Sequence, residues 1–517
     1  IRHAATDDYA TGVLGIEYDE DGRMIANQNG DISNPLIMLE QNSNSGTISQ
    51  NRINAFFEYK VFEGLTFKSS IRGFSQETKT KAYFSERVGW ARSVGGRAVT
   101  SFSSARSIVA EQNLNYVKKF GRHRINATLV AERQQSVREF LQSSSTGFDI
   151  PGLNLDALEV ALQTLPTLSN EVKSSLESYL ARVQYNAFNK YMLTVSARYD
   201  GSSRFAKGNK WGFFPAVGVA WRISNEDFLK NSSLISNAKL RASHGETGNT
   251  EIGTYQSLAR AGLSSYVFNG ANLEAGAAID RLPNPELTWE TTTQTDVGLS
   301  LGLFNGSVNI EADYYNKDTR DLLLAVPIPS TTGFRTAFKN LGLINNRGYE
   351  LAIDAKIIEN NDLTWNANFN ISFNKNEVKN LGGANQFFTT AIGDSQIQND
   401  YVIRVGESLG SIYGLQDDGV YTFSDFVEFD GLSDTAAADL LYANVSGTEN
   451  WYSVNIYTLK DGVVSNALVA PGTYRPGMTK FKDNNGDGVI NDDDRHIIGN
   501  TQPKHFGGFT NNLSYKG

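Results

Sequence analysis

Amphipathic stretches of about ten to seventeen residues recur in pairs along this chain, joined alternately by very short turns and by long polar loops. In Trp289–Leu303 the residues Trp289, Val297, Leu299, Leu301 and Leu303 share one parity, with threonines between them. Glu290, Gln294, Asp296, Gly298 and Ser300 fall on the other. A period of two over that length sets one face against oil and the other against water. Soluble strands average about five or six residues, whereas a tilted membrane-spanning strand needs about nine to eleven. The pattern predicts an all-β chain forming the wall of a transmembrane antiparallel β-barrel.

Six strand pairs follow from the same reading. They are Asn51–Val61 with Leu65–Gln76, Ala105–Phe120 with His123–Gln142, Ser178–Phe188 with Tyr191–Tyr199, and Trp211–Ser224 with Asn237–Gly245. A fifth turns at Phe304-Asn305-Gly306, where Asn-Gly is a strong hairpin signal, and a sixth is Leu341–Ile357 with Leu363–Asn376. A thirteenth strand, Gly507–Tyr515, follows a large extracellular insertion over residues 378–506. The first fifty residues read as loop, and Leu155–Leu165 as a helical patch. Outer-membrane barrels place short turns in the periplasm and long loops outside, which orients the two edges. About 13 strands do not make a whole single-chain barrel, whose count is normally even, so further strands are expected before Ile1 and after Gly517. In Leu363–Phe373, parity predicts Leu363, Trp365, Ala367, Phe369, Ile371 and Phe373 toward lipid, and Asn366, Asn368 and Asn370 inward. A soluble sandwich or propeller fits less well, because its strands are shorter and no propeller period appears.

Composition, charge and the start of the chain narrow this picture. Hydrophobic residues are only 40% of the 517, which suits a barrel whose every second residue faces the lumen. The most apolar run, Trp211–Trp221, contains Pro215 and two glycines and is far shorter than the roughly 18 residues of a spanning helix. Cysteine is absent, excluding disulfides and thiol chemistry and common in proteins that cross an oxidising periplasm. A net charge of −9 argues against nucleic acid, which needs a basic face. The chain starts at Ile1 without Met or signal peptide and reads as part of a longer protein.

Candidate chemistry is sparse. Asp483, Asn485, Asp487 and Asp494 stand at positions one, three, five and twelve of an acidic loop. Gly488 at six permits the sharp turn, Val489 offers a carbonyl at seven, and Asn491 sits at nine. That spacing wraps Ca²⁺ in oxygen, although position twelve is Asp rather than Glu and Arg495–Asn500 does not read as a helix. The competing reading is an acidic turn held by Asx hydrogen bonds. Gly406-Glu-Ser408-Leu-Gly410 matches a nucleophile elbow by chance, since no helix follows the serine. The five histidines lack zinc spacing, and Glu311 with Asp313 read as lumen-lining acids. Trp90, Trp451, Tyr452, Tyr457 and Tyr474 lie in loops, where aromatics stack on sugars or peptides or else pack within the loop.

Several stretches, in one order across most of the chain, resemble the SusC/RagA family of TonB-dependent outer-membrane transporters. They are Pro215-Ala-Val-Gly-Val-Ala-Trp-Arg-Ile223, Leu240–Asn249, Asp313–Leu323, Asn340–Leu351, Gly410-Ser-Ile-Tyr-Gly-Leu415 and the acidic loop running to Asn500. The resemblance implies a barrel of about 22 strands with an N-terminal plug in its lumen. It further implies an outer membrane of a Gram-negative bacterium, a SusD-like surface lipoprotein as lid, and TonB contacted through the N-terminal part. Dimers of transporter–lipoprotein pairs belong to the same expectation. The function implied is import of oligosaccharides or oligopeptides, without enzymatic chemistry. A passive porin with an open lumen is one alternative. A secreted calcium-binding protein that binds or hydrolyses carbohydrate is the other.

Overall fold

The short turns close where the backbone goes left-handed. Gly64 has φ 88°, Gly121 φ 57°, and Phe304, Asn305 and Gly306 have φ 51°, 56° and 86°. Glycine adopts that region freely and asparagine tolerates it. Between such turns run thirteen long strands in a computed structural model that describes residues 38–39, 41–87, 89–148, 155, 157–268, 272–389, 399–445, 457–468 and 474–516. They are β1 Ser43–Phe62, β2 Leu65–Phe84, β3 Arg97–Phe120, β4 His123–Thr146, β5 Leu168–Ala187, β6 Tyr191–Ser202 and β7 Trp211–Arg222. The remainder are β8 Ile235–Asn249, β9 Glu290–Leu303, β10 Val308–Pro327, β11 Thr336–Glu359, β12 Leu363–Asn380 and β13 His505–Tyr515. Sheet order follows chain order throughout. Among the described residues no helix is long and apolar enough to cross a membrane.

Turn-side ends fall where the sequence puts them, but loop-side ends do not. β2 continues to Phe84 rather than Gln76, β3 starts at Arg97 rather than Ala105, and β5 starts at Leu168 rather than Ser178. Ser43–Gln50 is strand, not loop. Beyond the apolar band both sheet faces meet water, so alternation is no longer required while the hydrogen-bond ladder continues unbroken. The expected helix over Leu155–Leu165 is also replaced. Its described residues hold a 3-10 turn, Leu158–Val160, and a short strand, Gln163–Thr164, on the end of β4. The amides of Leu162 and Leu165 are taken by the carbonyls of Gly147 and Ser144, at 2.8 and 2.9 Å, instead of by a helix.

The chain divides into two compact units, residues 1–230, 241–291 and 323–340 in one and 231–240, 292–322 and 341–517 in the other. In the first, Leu129, Val183, Val195, Val217 and Val219 are exposed on one sheet face. The opposite face carries polar pairs: Asn115 donates to Asn126 and Thr128 at 2.8 and 2.9 Å, and Arg198 grips Asp200 at 2.8 Å. Aromatic side chains bound the apolar face at both ends. Trp211 stacks on Tyr199 with centroids 4.7 Å apart. Ten residues on along the strand, Trp221 donates from Nε1 to Glu226 at 3.0 Å. Ten residues rise about 33 Å, or about 25 Å along the membrane normal at a tilt of about 40°, the height of an outer-membrane apolar band.

In the second unit Val297, Leu299, Tyr314, Tyr349, Phe369 and Phe373 are exposed on the outward face. Phe369 lies opposite Ile353 on β11 and Phe509 on β13, while Asn368 bonds Asp354 on the inner face. The parity predicted for Leu363–Phe373 therefore matches its cross-strand partners. Between β12 and β13 the described insertion builds a sheet from Gln386–Thr389, Tyr401–Arg404, Ser411–Gly414 and His496–Asn500.

Candidate functional site

The loop side of the first unit is tied into a core of its own. Phe205, Phe214, Ile252, Leu287 and Trp289 bury together, from a strand and the two loops that follow β6 and β8. Phe214 lies flat only because its neighbours lack side chains. A Cβ on Gly212 or Gly248 would stand 2.4 or 2.1 Å from its Cζ. Trp289 meets Phe205 and Phe214 at 5.8 and 5.3 Å between centroids. Its burial corrects the sequence reading, in which Trp289 shared the oil-facing parity of Val297 and Leu299. It precedes β9, where the sheet face no longer dictates direction. Further ties fix the long loop after β8. Arg204 donates to the Thr250 carbonyl at 2.6 Å, Asn209 to that of Pro285 at 3.0 Å, and Asn284 to that of Phe338 at 2.8 Å.

The insertion of the second unit has an aromatic core: Tyr421, Phe426, Phe429, Ala437 and Tyr457, with Tyr474 and Leu459 against it. Tyr421 is buried, its hydroxyl donates to the Val464 carbonyl at 2.8 Å, and burial pushes that hydroxyl up to about 12. Of the aromatics predicted to contact substrate, Tyr457 is only 4% exposed and Tyr474 bonds the backbone of Asn466 in both directions. These two are core, not contact surface, because a long insertion must supply its own apolar interior. Trp90 is exposed on the short helix Gly89–Arg92, beside Phe84 at 4.9 Å. Trp451 and Tyr452 lie outside the described residues. Tyr457 and Tyr474 come together in the core of the insertion, not in a binding surface.

The acidic loop holds itself through backbone amides. Asp483 accepts from Gly486 and Gly488 at 2.6 and 2.8 Å, Asn485 from Asp487 at 2.8 Å, and Asp487 from Val489 at 2.8 Å. Asp494 is fully buried and accepts from Asn491, Asn484 and Asn485, which holds its carboxyl below the usual carboxylate range. Asn491 accepts from Asp493 at 2.7 Å. Among the described residues no three Asp, Glu or His side chains converge to hold a metal. A cation would rest on Asn485, Asn491 and the Val489 carbonyl as much as on the carboxylates. Gly406–Gly410 is no elbow: strand Ser411–Gly414 follows it, and its backbone pairs with Val378, Glu407 accepting and Gly406 donating at 2.8 Å each.

A two-faced wall, an apolar band of outer-membrane height and folded outer loops all point one way. The TonB dependent receptor-like, beta-barrel family matches residues 3–458. The chain belongs to the TonB-dependent receptor family. TonB-dependent receptor P39 of Formosa agariphila is 34% identical over 94% of this chain and 45% of that protein. TonB-dependent receptor SusC of Bacteroides thetaiotaomicron is 29% identical over 73% of this chain and 36% of that protein. The solved RagAB peptide transporter shares the fold, with a TM-score of 0.73 at 22% identity over 98% of this chain and 50% of that one. The chain spans about half the length of the curated relatives it matches. It is a SusC/RagA-like wall segment of a TonB-dependent receptor barrel, an outer-membrane protein of Gram-negative bacteria.

Within this receptor segment the knot around Trp289 went unread in the sequence. Its signal was the pair Gly212 and Gly248, one on the strand of Phe214 and one on its neighbour, which both spare the Phe214 ring.

Proposed function

We propose that this segment serves, within the intact receptor, in TonB-dependent import of oligosaccharides or oligopeptides captured together with a SusD-like lipoprotein. One observation carries the reading: the outer loops are folded bodies with buried aromatic cores, whereas the opposite edge has tight turns and one short connection, Ile223–Leu234. Loops beyond about 12–15 residues usually carry function, and a stable lid needs on the order of 1,600 Å² of buried surface, which simple pore rims lack. The RagAB structure, named as a peptide transporter, supports the oligopeptide class. No covalent step is assigned to the segment. We propose further that the loop Asp483–Asp494 takes calcium, supported by its ligand spacing and by the tight turn at Gly488 (φ 86°).

The test is isolation of the intact receptor from native membrane in mild detergent, with mass spectrometry of co-purifying chains. Import with a lid predicts a lipoprotein in stoichiometric amount and a peptide or glycan in the lumen. A barrel recovered alone favours the passive porin. Deleting residues 445–472 is an unsuitable probe of the docking surface, because it removes Tyr457 and Leu459 from the insertion's core.

A further inference from the structure

The turn between β3 and β4 carries four exposed cations in seven residues: Lys118, Lys119, Arg122 and Arg124. Both lysines of the neighbouring turn-side connections are neutralised. Lys190 meets Glu226 at 2.7 Å and Lys230 meets Asp227 at 2.8 Å. Among the described residues no carboxylate pairs with any of the four in the β3–β4 turn. Lys119 even stands directly opposite Arg124 in the ladder, a like-charge arrangement that costs stability without an anion nearby.

Parity places three of the four, and Arg122, in the turn itself, is placed by the ring it lies over. Lys118 shares the outward face with Leu114 and Tyr116, and Leu114 lines an apolar groove with Leu129, Ala181 and Phe213. Arg122 lies over the exposed Phe188 ring at 5.5 Å. Phe188 in turn meets His123 edge-on at 4.7 Å, and His123 stacks between Phe120 and Tyr185. Lys119 and Arg124 take the opposite parity and face the lumen. The outward pair therefore sits at the lower aromatic girdle, level with Tyr191 and Trp221, which β6 and β7 pair directly. Girdle aromatics lie at headgroup depth, where a lysine stem runs along apolar surface and its ammonium reaches phosphate.

We infer that Lys118 and Arg122 bind the phosphate of an anionic phospholipid in the inner leaflet of the outer membrane. Acyl chains of that lipid run along the groove lined by Leu114 and Leu129, and the guanidinium and ammonium flank the phosphodiester. Basic residues at an anionic membrane surface each strengthen attachment several-fold. The contact fixes the depth of the β3–β4 edge in the bilayer.

Native mass spectrometry of the intact receptor in mild detergent tests this with phosphatidylglycerol, and with phosphatidylethanolamine as the zwitterionic control. The variants are Lys118→Gln with Arg122→Gln, and the inward pair Lys119→Gln with Arg124→Gln, each checked for folded, heat-modifiable migration. Wild type and the inward variant should retain phosphatidylglycerol over phosphatidylethanolamine, and the outward variant should bind it roughly thirty-fold more weakly. A large excess of inorganic phosphate should leave the lipid in place. Equal retention by both variants overturns the assignment. Displacement by inorganic phosphate makes the site one for the free ion. Loss of a periplasmic protein from the outward variant with lipid unchanged makes it a protein contact.

Discussion

The indole of Trp289 meets the ring of Phe214 at 64° with centroids 5.3 Å apart, while its Nε1 donates to the Lys210 carbonyl at 2.9 Å. One side chain thereby joins the loop after β8, strand β7 and the loop after β6. Truncating a buried aromatic of this kind costs about 3–5 kcal/mol. Trp289→Ala should make residues 250–288 sensitive to protease on intact cells while the barrel keeps its heat-modifiable band. Gly248→Ala, whose Cβ has no room beside Phe214, should do the same to a smaller degree.

Phe369 and Asn368 are sequence neighbours on opposite faces of β12. An arginine in the lipid band near the midplane costs about 2–4 kcal/mol. Phe369→Arg should lower folded yield in vesicles by far more than Asn368→Arg, whose guanidinium finds Asp354 on the inner face. Equal yields would put β12 in the wrong register.

A hydrogen bond from Lys190, with others from the Tyr191 hydroxyl and the Trp221 indole, holds the Glu226 carboxyl down to about 2. Because the folded value lies below that of an unfolded glutamate, about 4.3, the clamp stabilises fully above that value. It is lost as pH falls toward 2. Glu226→Ala should therefore lower resistance to urea at neutral pH, and the gap from wild type should shrink below pH of about 4 and close near 2. Trp221 fluorescence reads the release directly.

The calcium assignment is checked by Asp487→Ala. Loss of bound calcium from the purified receptor, with a lower melting temperature in calcium but not in chelator, is the expected result. Unchanged metal content leaves the loop a turn held by Asx bonds.

The sequence discloses different parts of this molecule unequally. Turn-side ends were legible because Gly64, Gly121 and Asn305-Gly306 announce left-handed backbone locally. The lipid face was legible because hydrocarbon tolerates only one parity. Above the band neither constraint applies, so Glu77–Phe84 and Arg97–Ser104 read as loop although they pair residue for residue. Tyr457 and Tyr474 misled for a related reason. An aromatic in a long polar stretch has the same local surroundings whether it faces a ligand or a core, and only the distant partners Tyr421 and Phe429 decide.

β12 and β13 pair directly, with Phe373 opposite His505, and the Asn374 amide also reaches the Lys504 carbonyl at 3.4 Å. β12 runs on past that pair to Asn380, and there the stretch Leu381–Lys504 takes over its edge: Val378 donates to the Glu407 carbonyl and accepts from the Gly406 amide, at 2.8 Å each. The register of β12 on β13 is set below it, over Leu363–Phe373. Evolution can exchange that stretch, or an engineer can graft another in its place, and the ladder over Leu363–Phe373 keeps its hydrogen bonds, while Val378 gives up the two it makes to Gly406 and Glu407.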